Sequence, residues 1–234
     1  MENTKPTKLG IIKLDRSKYI DVWNMQKEMV NLRKENKIPD CLILTEHEPV
    51  ITIGRNASKD NLLVSRTEMK RDKIEAYNIE RNGDVAYFGP GQLMVYPIID
   101  LAARGRDLRK YLTDLESVAI STMDNLGIMA TIRKTMPGLW VNNQVIGAVG
   151  VAVSNWISFH GLTLNVCNKF DYSKLVNQWG LTNFASNSVS SILGKAVKTN
   201  SVSKIFIENF AKRFDCKPEI INDIKRIISE QVAA

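Results

Sequence analysis

Tyr87-Phe88-Gly89-Pro90-Gly91-Gln92-Leu93-Met94-Val95-Tyr96-Pro97-Ile98 runs a Gly-Pro-Gly turn straight into an apolar segment. Glycine reaches backbone angles closed to other residues and lets a second chain or a ligand approach closely. Pro90 stiffens the turn between the two glycines. A loop so constrained, set at the head of a strand, reads as the wall of a binding site; a plain structural turn is the competing reading.

Outward from this turn, the chain alternates strands and helices. Residues 93–100 are expected to form the strand after the turn, and 107–126 the strongest helix. There Leu108, Tyr111, Leu112, Leu115, Val118, Ala119 and Met123 share one face, Asp107 caps the start and Gly127 ends it. Upstream, 9–14 reads as an edge strand and 17–36 as a helix capped by Ser17, with Gln26 interrupting its apolar face. Two strands, 41–46 and 50–54, flank the turn His47-Glu48-Pro49. Residues 55–67 are loop-like, 69–77 are ambiguous, 79–81 read as a short strand, and Asn82-Gly83-Asp84 as a turn. Downstream, strands are expected at 130–133, 138–141, 145–153, 156–159 and 162–166, with Asn142-Asn143 at a hairpin tip. Helices are expected at 200–214 and 218–232. This order predicts one α+β domain over residues 1–234: a mixed or antiparallel sheet with helices packed on it.

Composition narrows the function classes. The 234 residues are 44% hydrophobic and 24% charged, an ordinary globular balance. No apolar run nears the roughly 20 residues that cross a bilayer. The first five residues lack the apolar core of a secretion signal, so a cytoplasmic protein without membrane association is expected. Cys41, Cys167 and Cys216 stand far apart, and the chain holds only two histidines, His47 and His160. No metal site and no cofactor is expected from such a set. The net charge of +7 favours acidic partners. Aromatic and basic residues are not interleaved as on an RNA-binding surface, so nucleic acid is disfavoured.

Three blocks in order carry a resemblance. Arg81-Asn82-Gly83 followed by Tyr87-Phe88-Gly89-Pro90-Gly91-Gln92 is the first. Pro137-Gly138-Leu139-Trp140-Val141 with Ile146-Gly147-Ala148-Val149-Gly150-Val151 is the second, and Phe159-His160-Gly161-Leu162-Thr163-Leu164-Asn165-Val166 the third. Together they resemble the lipoyl(octanoyl) transferases of lipoate biosynthesis. The resemblance implies the biotin/lipoate protein ligase-like fold. It also implies transfer of octanoyl or lipoyl groups from acyl carrier protein to lysines of lipoyl domains, both typically acidic partners. By the same resemblance Arg81, Asn82, Gly83, Tyr87, Phe88, Gly89, Gly91 and Gln92 would hold substrate. So would Ala148, Val149 and Gly150 on one strand and His160, Gly161, Leu162 and Thr163 on another.

The catalytic pair of that family does not carry over. Its cysteine, which takes the acyl group as a thioester, falls on Trp179. Its lysine, which keeps that thiol ionised, falls on Val145. The family's Arg-Gly-Gly is Arg81-Asn82-Gly83 here, and its histidine before Gly-Pro-Gly is Phe88. These replacements make one expected pocket more apolar. Cys167, with Lys169 nearby, is a candidate substitute thiol or an inert core residue. His160 is a candidate base or a hydrogen-bonded core histidine. The residues therefore leave two readings open: a transferase working by another route, or a non-catalytic binder of lipoyl or octanoyl carriers or of a small apolar ligand.

Overall fold

The computed structural model describes residues 6–134, 136–168, 173–182, 185–224 and 227–229. Its centre is a mixed sheet. The strands are β1 (Thr7–Lys13), β2 (Asp40–Thr45), β6 (Gln92–Ile98), β7 (Thr131–Arg133), β8 (Met136–Val141), β9 (Gln144–Ser154), β10 (Ile157–Asn165) and β12 (Cys216–Ile220). They lie in the order β12-β1-β2-β6-β10-β9-β8-β7, with the short β11 (Ala185–Ser186) beside the start of β9. β1 is parallel to both neighbours, and the pairings from β2 to β7 are antiparallel. A second sheet, β4-β3-β5, is built from β3 (Val50–Ile53), β4 (Glu75–Asn78) and β5 (Val85–Phe88).

Alternation along the strands sends apolar side chains to both faces of the large sheet. One face, with Leu93, Val95, Leu162 and Leu164, is covered by α3 (Leu108–Asp124) and α5 (Thr199–Phe214). The other, with Ile43, Met94 and Tyr96, is covered by α1 (Tyr19–Lys34) through Tyr19, Val22, Met25 and Met29. α2 (Arg66–Arg71) carries a full capping box between Ser65 and Glu68, and α4 (Val189–Leu193) is a short element capped by Ser188.

Several expectations change. β1 is not at the edge, because β12 pairs outside it. The segment expected to open a helix at 218 is that strand, although residues 224 and 227–229 are helical; 225–226 and 230–232 lie outside the described residues. A Pro-containing run exposed over Lys217–Ile220 shows no period-2 burial, which hid the strand. Ser17 does not cap α1: its hydroxyl donates to Asp15 O at 2.7 Å, and Lys18 holds the cap position without a side-chain bond. Residues 79–81 form no strand; β4 ends at Asn78. The two strands expected at 156–159 and 162–166 are one, β10, which runs through His160 and Gly161. Asp107 does cap α3, accepting from Lys110 N at 2.9 Å.

Candidate functional site

The kink inside β10 builds the site. His160 takes φ 54 without leaving the strand, a conformation that is strained for a residue with a side chain. Its amide is turned out of the ladder and donates to Gln26 Oε1 of α1 at 2.7 Å. Gln26 is wholly buried for that reason, which explains the polar residue in the apolar face of α1. Next to it, Gly161 lies so close to β6 that a Cβ would run into Val95 O.

A cavity of about 30 Å³ opens at this point. Arg81, Phe88, Ala148, Val149, Gly150, His160, Gly161, Leu162, Thr163 and Trp179 line it, together with Tyr19, Met94 and Tyr96. Met94 and Tyr96 belong to the strand after the Gly-Pro-Gly turn and Tyr19 to the first helix; none of the three was expected as a substrate-binding residue. A larger groove of about 620 Å³ shares Ala148, Val149, Gly150, Leu162 and Thr163 with the cavity. It continues past Asn82, Gly83 and Gly138 toward Leu108 and Leu112 of α3. β8 pairs with β9 only as far as Gly147, and Asn82 N bonds to Val151 O at 3.2 Å beyond it. The Arg81-Asn82-Gly83 segment therefore lies against the part of β9 that β8 leaves uncovered. The close fit depends on Gly150, where a Cβ would sit 2.9 Å from Arg81 Cδ.

Other expected site residues lie elsewhere. The Tyr87 ring belongs to a separate core with Ile51, Val64 and Val176. Its backbone N and O are both bonded to the Gln178 side chain, at 2.7 and 3.0 Å. That clasp fixes the neighbouring Trp179, itself at φ 58, against the cavity. Gly89, Gly91 and Gln92 shape the turn rather than the cavity wall. Gln92 Oε1 accepts from Gly89 N at 2.7 Å, and its Nε2 donates to Asn165 Oδ1 at 2.9 Å. Gly91, at φ 85, donates to Glu46 Oε2 at 2.7 Å and leaves no room for a side chain against Asn168 N.

Val145 is buried with Trp140, Phe88 and Trp179 in one apolar cluster. Cys167 packs against the core on the α3/α5 face, and Lys169 lies outside the described residues. Among the described residues no cysteine lines the cavity. Burial pushes the Cys41 thiol up to about 12 and that of Cys216 to about 11, which removes the thiolate a nucleophile needs.

The polar groups form a connected set. Glu80 Oε2 accepts from Trp23 Nε1 at 3.0 Å and faces His160 Nε2 at 3.4 Å. This tautomer leaves His160 Nδ1 to accept from Tyr19 Oη at 3.5 Å. Burial holds His160 below the usual imidazole range, although Glu80 pulls the other way. The hydrogen bond with His160 helps lower Glu80 to about 2. Behind them Tyr96 Oη donates to His47 Nε2 at 2.7 Å, and His47 Nδ1 donates to Ser17 O at 3.0 Å. Among the described residues no cluster of three metal-ligating side chains occurs.

Residues 18–214 match the family model of the lipoyl protein ligase A/B catalytic domain. The chain belongs to that family. An octanoyltransferase of Desulforamulus reducens is 35% identical over 219 residues, covering 93% of this chain and 96% of the relative. Another octanoyltransferase, from Caldicellulosiruptor bescii, is 36% identical over 208 residues, covering 88% and 91%. A bi-partite lipoate protein ligase of Thermoplasma acidophilum superposes with TM-score 0.71 over 97% of this chain and 92% of its own, at 12% identity. A lipoate-protein ligase A bound with ATP gives the same TM-score over 97% and 94%, at 13% identity. These solved structures establish the fold, the biotin/lipoate ligase-like mixed sheet with helices. In this member of the lipoyl protein ligase A/B family, Trp179 and Phe88 share the cavity wall and Val145 packs behind them.

Proposed function

We propose that this chain serves protein lipoylation as an octanoyltransferase-family protein whose cleft holds an octanoyl or lipoyl group presented by an acidic carrier, without passing it through an acyl-enzyme. The observation that carries the reading is the wall of the cavity: an indole and a phenyl ring, with no cysteine among the described residues that line it. Indole is not an acyl acceptor, and the buried Val145 cannot ionise a thiol. The adjoining groove, with Leu108, Leu112, Leu139 and Val151 in its walls, suits an eight-carbon chain. The net charge of +7 suits acyl carrier protein or a lipoyl domain as the partner.

Direct transfer from a carrier thioester to a lipoyl-domain lysine is the second reading. His160 favours it: its Nε2–H faces Glu80 and its Nδ1 faces Tyr19 Oη, so the Tyr19 hydroxyl on the cavity wall can take a proton from the attacking amine as it passes its own to Nδ1. Sedimentation of the chain with octanoylated and unmodified acyl carrier protein tests the binding claim. The octanoylated form is expected to co-sediment and the unmodified form to do so more weakly. Equal behaviour of the two carriers would remove the acyl group from the account.

A further inference from the structure

Arg81 is a cation buried among neutral acceptors. It is 6% exposed, and burial disfavours its charged form. Its guanidinium donates to Asn82 O at 3.1 Å, Asp84 O at 2.6 Å, and Thr52 Oγ1 and O at 3.2 and 3.4 Å. None of these is a carboxylate oxygen, and Arg81 Nε is buried with no acceptor. The nearby Asp84 carboxylate is held by Asn61 Nδ2, Ser58 N and Val85 N, and that of Glu80 by Trp23 Nε1 and His160 Nε2. Thr163 is 3% exposed, and its Oγ1 has no partner. The two unmet groups meet on one face of the sheet. A Cβ at Gly150 would sit 2.9 Å from Arg81 Cδ, so the Arg81 side chain lies over Gly150. Gly150 is opposite Gly161 across β9 and β10, and Ala148 is opposite Thr163. Thr163 is therefore diagonal to Gly150 on the same face, at a spacing of about 7–8 Å. Both Arg81 and Thr163 line the cavity of about 30 Å³.

Two unmet donors in one recess call for an acceptor from outside the chain. Water satisfies the hydrogen bonds and leaves the buried charge among dipoles only. A monovalent anion supplies acceptor and charge together, through charge-assisted bonds. A polyatomic oxyanion carries several acceptor oxygens and needs more donors than these two. The Tyr19 and Tyr96 hydroxyls on the wall donate elsewhere, to His160 and His47, and Phe88, Met94, Leu162 and Trp179 offer no donor that reaches beyond their own apolar surface to a multiply charged group. A single-atom anion accepts from any direction. It also suits a cavity with room on the order of two waters.

We propose that the cavity is a site for one halide ion, chloride, held by Arg81 Nε and Thr163 Oγ1. The ion neutralises the buried guanidinium and ties the segment 81–84 to β10. The site does not depend on the cleft's taking an acyl group.

Urea unfolding at constant ionic strength, with sodium gluconate exchanged for sodium chloride, tests this. For a dissociation constant of about 10 mM, the folded-to-unfolded ratio is expected to rise about tenfold as chloride goes from about 1 to about 100 mM. Bromide acts in the same way, and crystals grown in bromide show an anomalous peak between Arg81 and Thr163. Folded Arg81→Met loses the response to halide, and Thr163→Val raises the half-saturating chloride concentration about threefold. If Arg81→Met does not fold, Thr163→Val and the bromide peak decide the matter. Equal stability in gluconate and chloride overturns the proposal. So does a chloride response kept by folded Arg81→Met, which places the ion elsewhere on the chain, and so does a cavity that holds only water in the bromide crystals.

Discussion

At the scale of single residues, the two histidines set how the molecule responds to acid. His47 is fully buried, and burial lowers its imidazole from 6.5 to about 4. His160 is displaced in the same direction, also by burial. A group whose folded pKa is depressed contributes stability that is complete above its unfolded pKa and lost as pH falls toward the folded one. For His47 the window is pH 6.5 down to about 4, and the contribution at stake is roughly 3 kcal/mol. An NMR titration of the two imidazole Cε1–H signals is expected to leave His47 neutral until about pH 4. A midpoint near 6.5 for His47 would contradict the buried, Tyr96-bound geometry.

Single residues also mark the limit of the sequence. The Gly-Pro-Gly turn was legible because glycine and proline act on their own backbone. Gln26 read as a flaw in an amphipathic helix, since its partner is the amide of His160, 134 positions away. Glu80, Trp23 and Tyr19 were silent for the same reason: their roles arise only when α1 and the segment after β4 meet at His160.

At the scale of elements, Glu46 ties the signature turn to α5. Its Oε2 accepts from Gly91 N at 2.7 Å and its Oε1 from Thr199 Oγ1, at the first residue of α5, at 2.6 Å. A carboxylate there also suits the positive end of the helix dipole. Glu46→Ala strands the buried Gly91 amide and is expected to cost about 1–3 kcal/mol by urea denaturation. The exposed Glu48→Ala is expected to stay within about 0.5 kcal/mol. Equal losses for the two would show that Glu46 holds nothing in place.

The elements most clearly written in the sequence were those with strong local signals. α3 combines an apolar stripe with an Asp cap, and β6 is buried along its whole length. β12 was misread because four of its five residues face solvent and pairing with β1 alone makes it a strand. β10 was divided because His-Gly ordinarily punctuates a strand. Here the glycine is what allows β10 to pass Val95 O, and the kink at His160 is absorbed by Gln26.

At the scale of the whole molecule, the chain belongs to the lipoyl protein ligase A/B family, and the proposal is that it works without the family's acyl-enzyme. The sheet and its helices keep the family fold, and in the proposed reading Trp179 stands at the nucleophile position and the buried Val145 at the lysine position. Sequence order alone led to the proposed placing of Trp179 and Val145 in the family pattern. It did not show that Gln178, next to Trp179, clasps the Tyr87 backbone, nor that Arg81 Nε is buried without an acceptor. Both depend on chain segments far apart in sequence.

Intact mass spectrometry of the chain after incubation with octanoyl-acyl carrier protein is the most direct measurement. The unaltered protein is expected to keep its mass, whereas the folded double variant Val145→Lys/Trp179→Cys gains one octanoyl group as a hydroxylamine-labile thioester. A covalent octanoyl adduct on the unaltered chain would contradict the account.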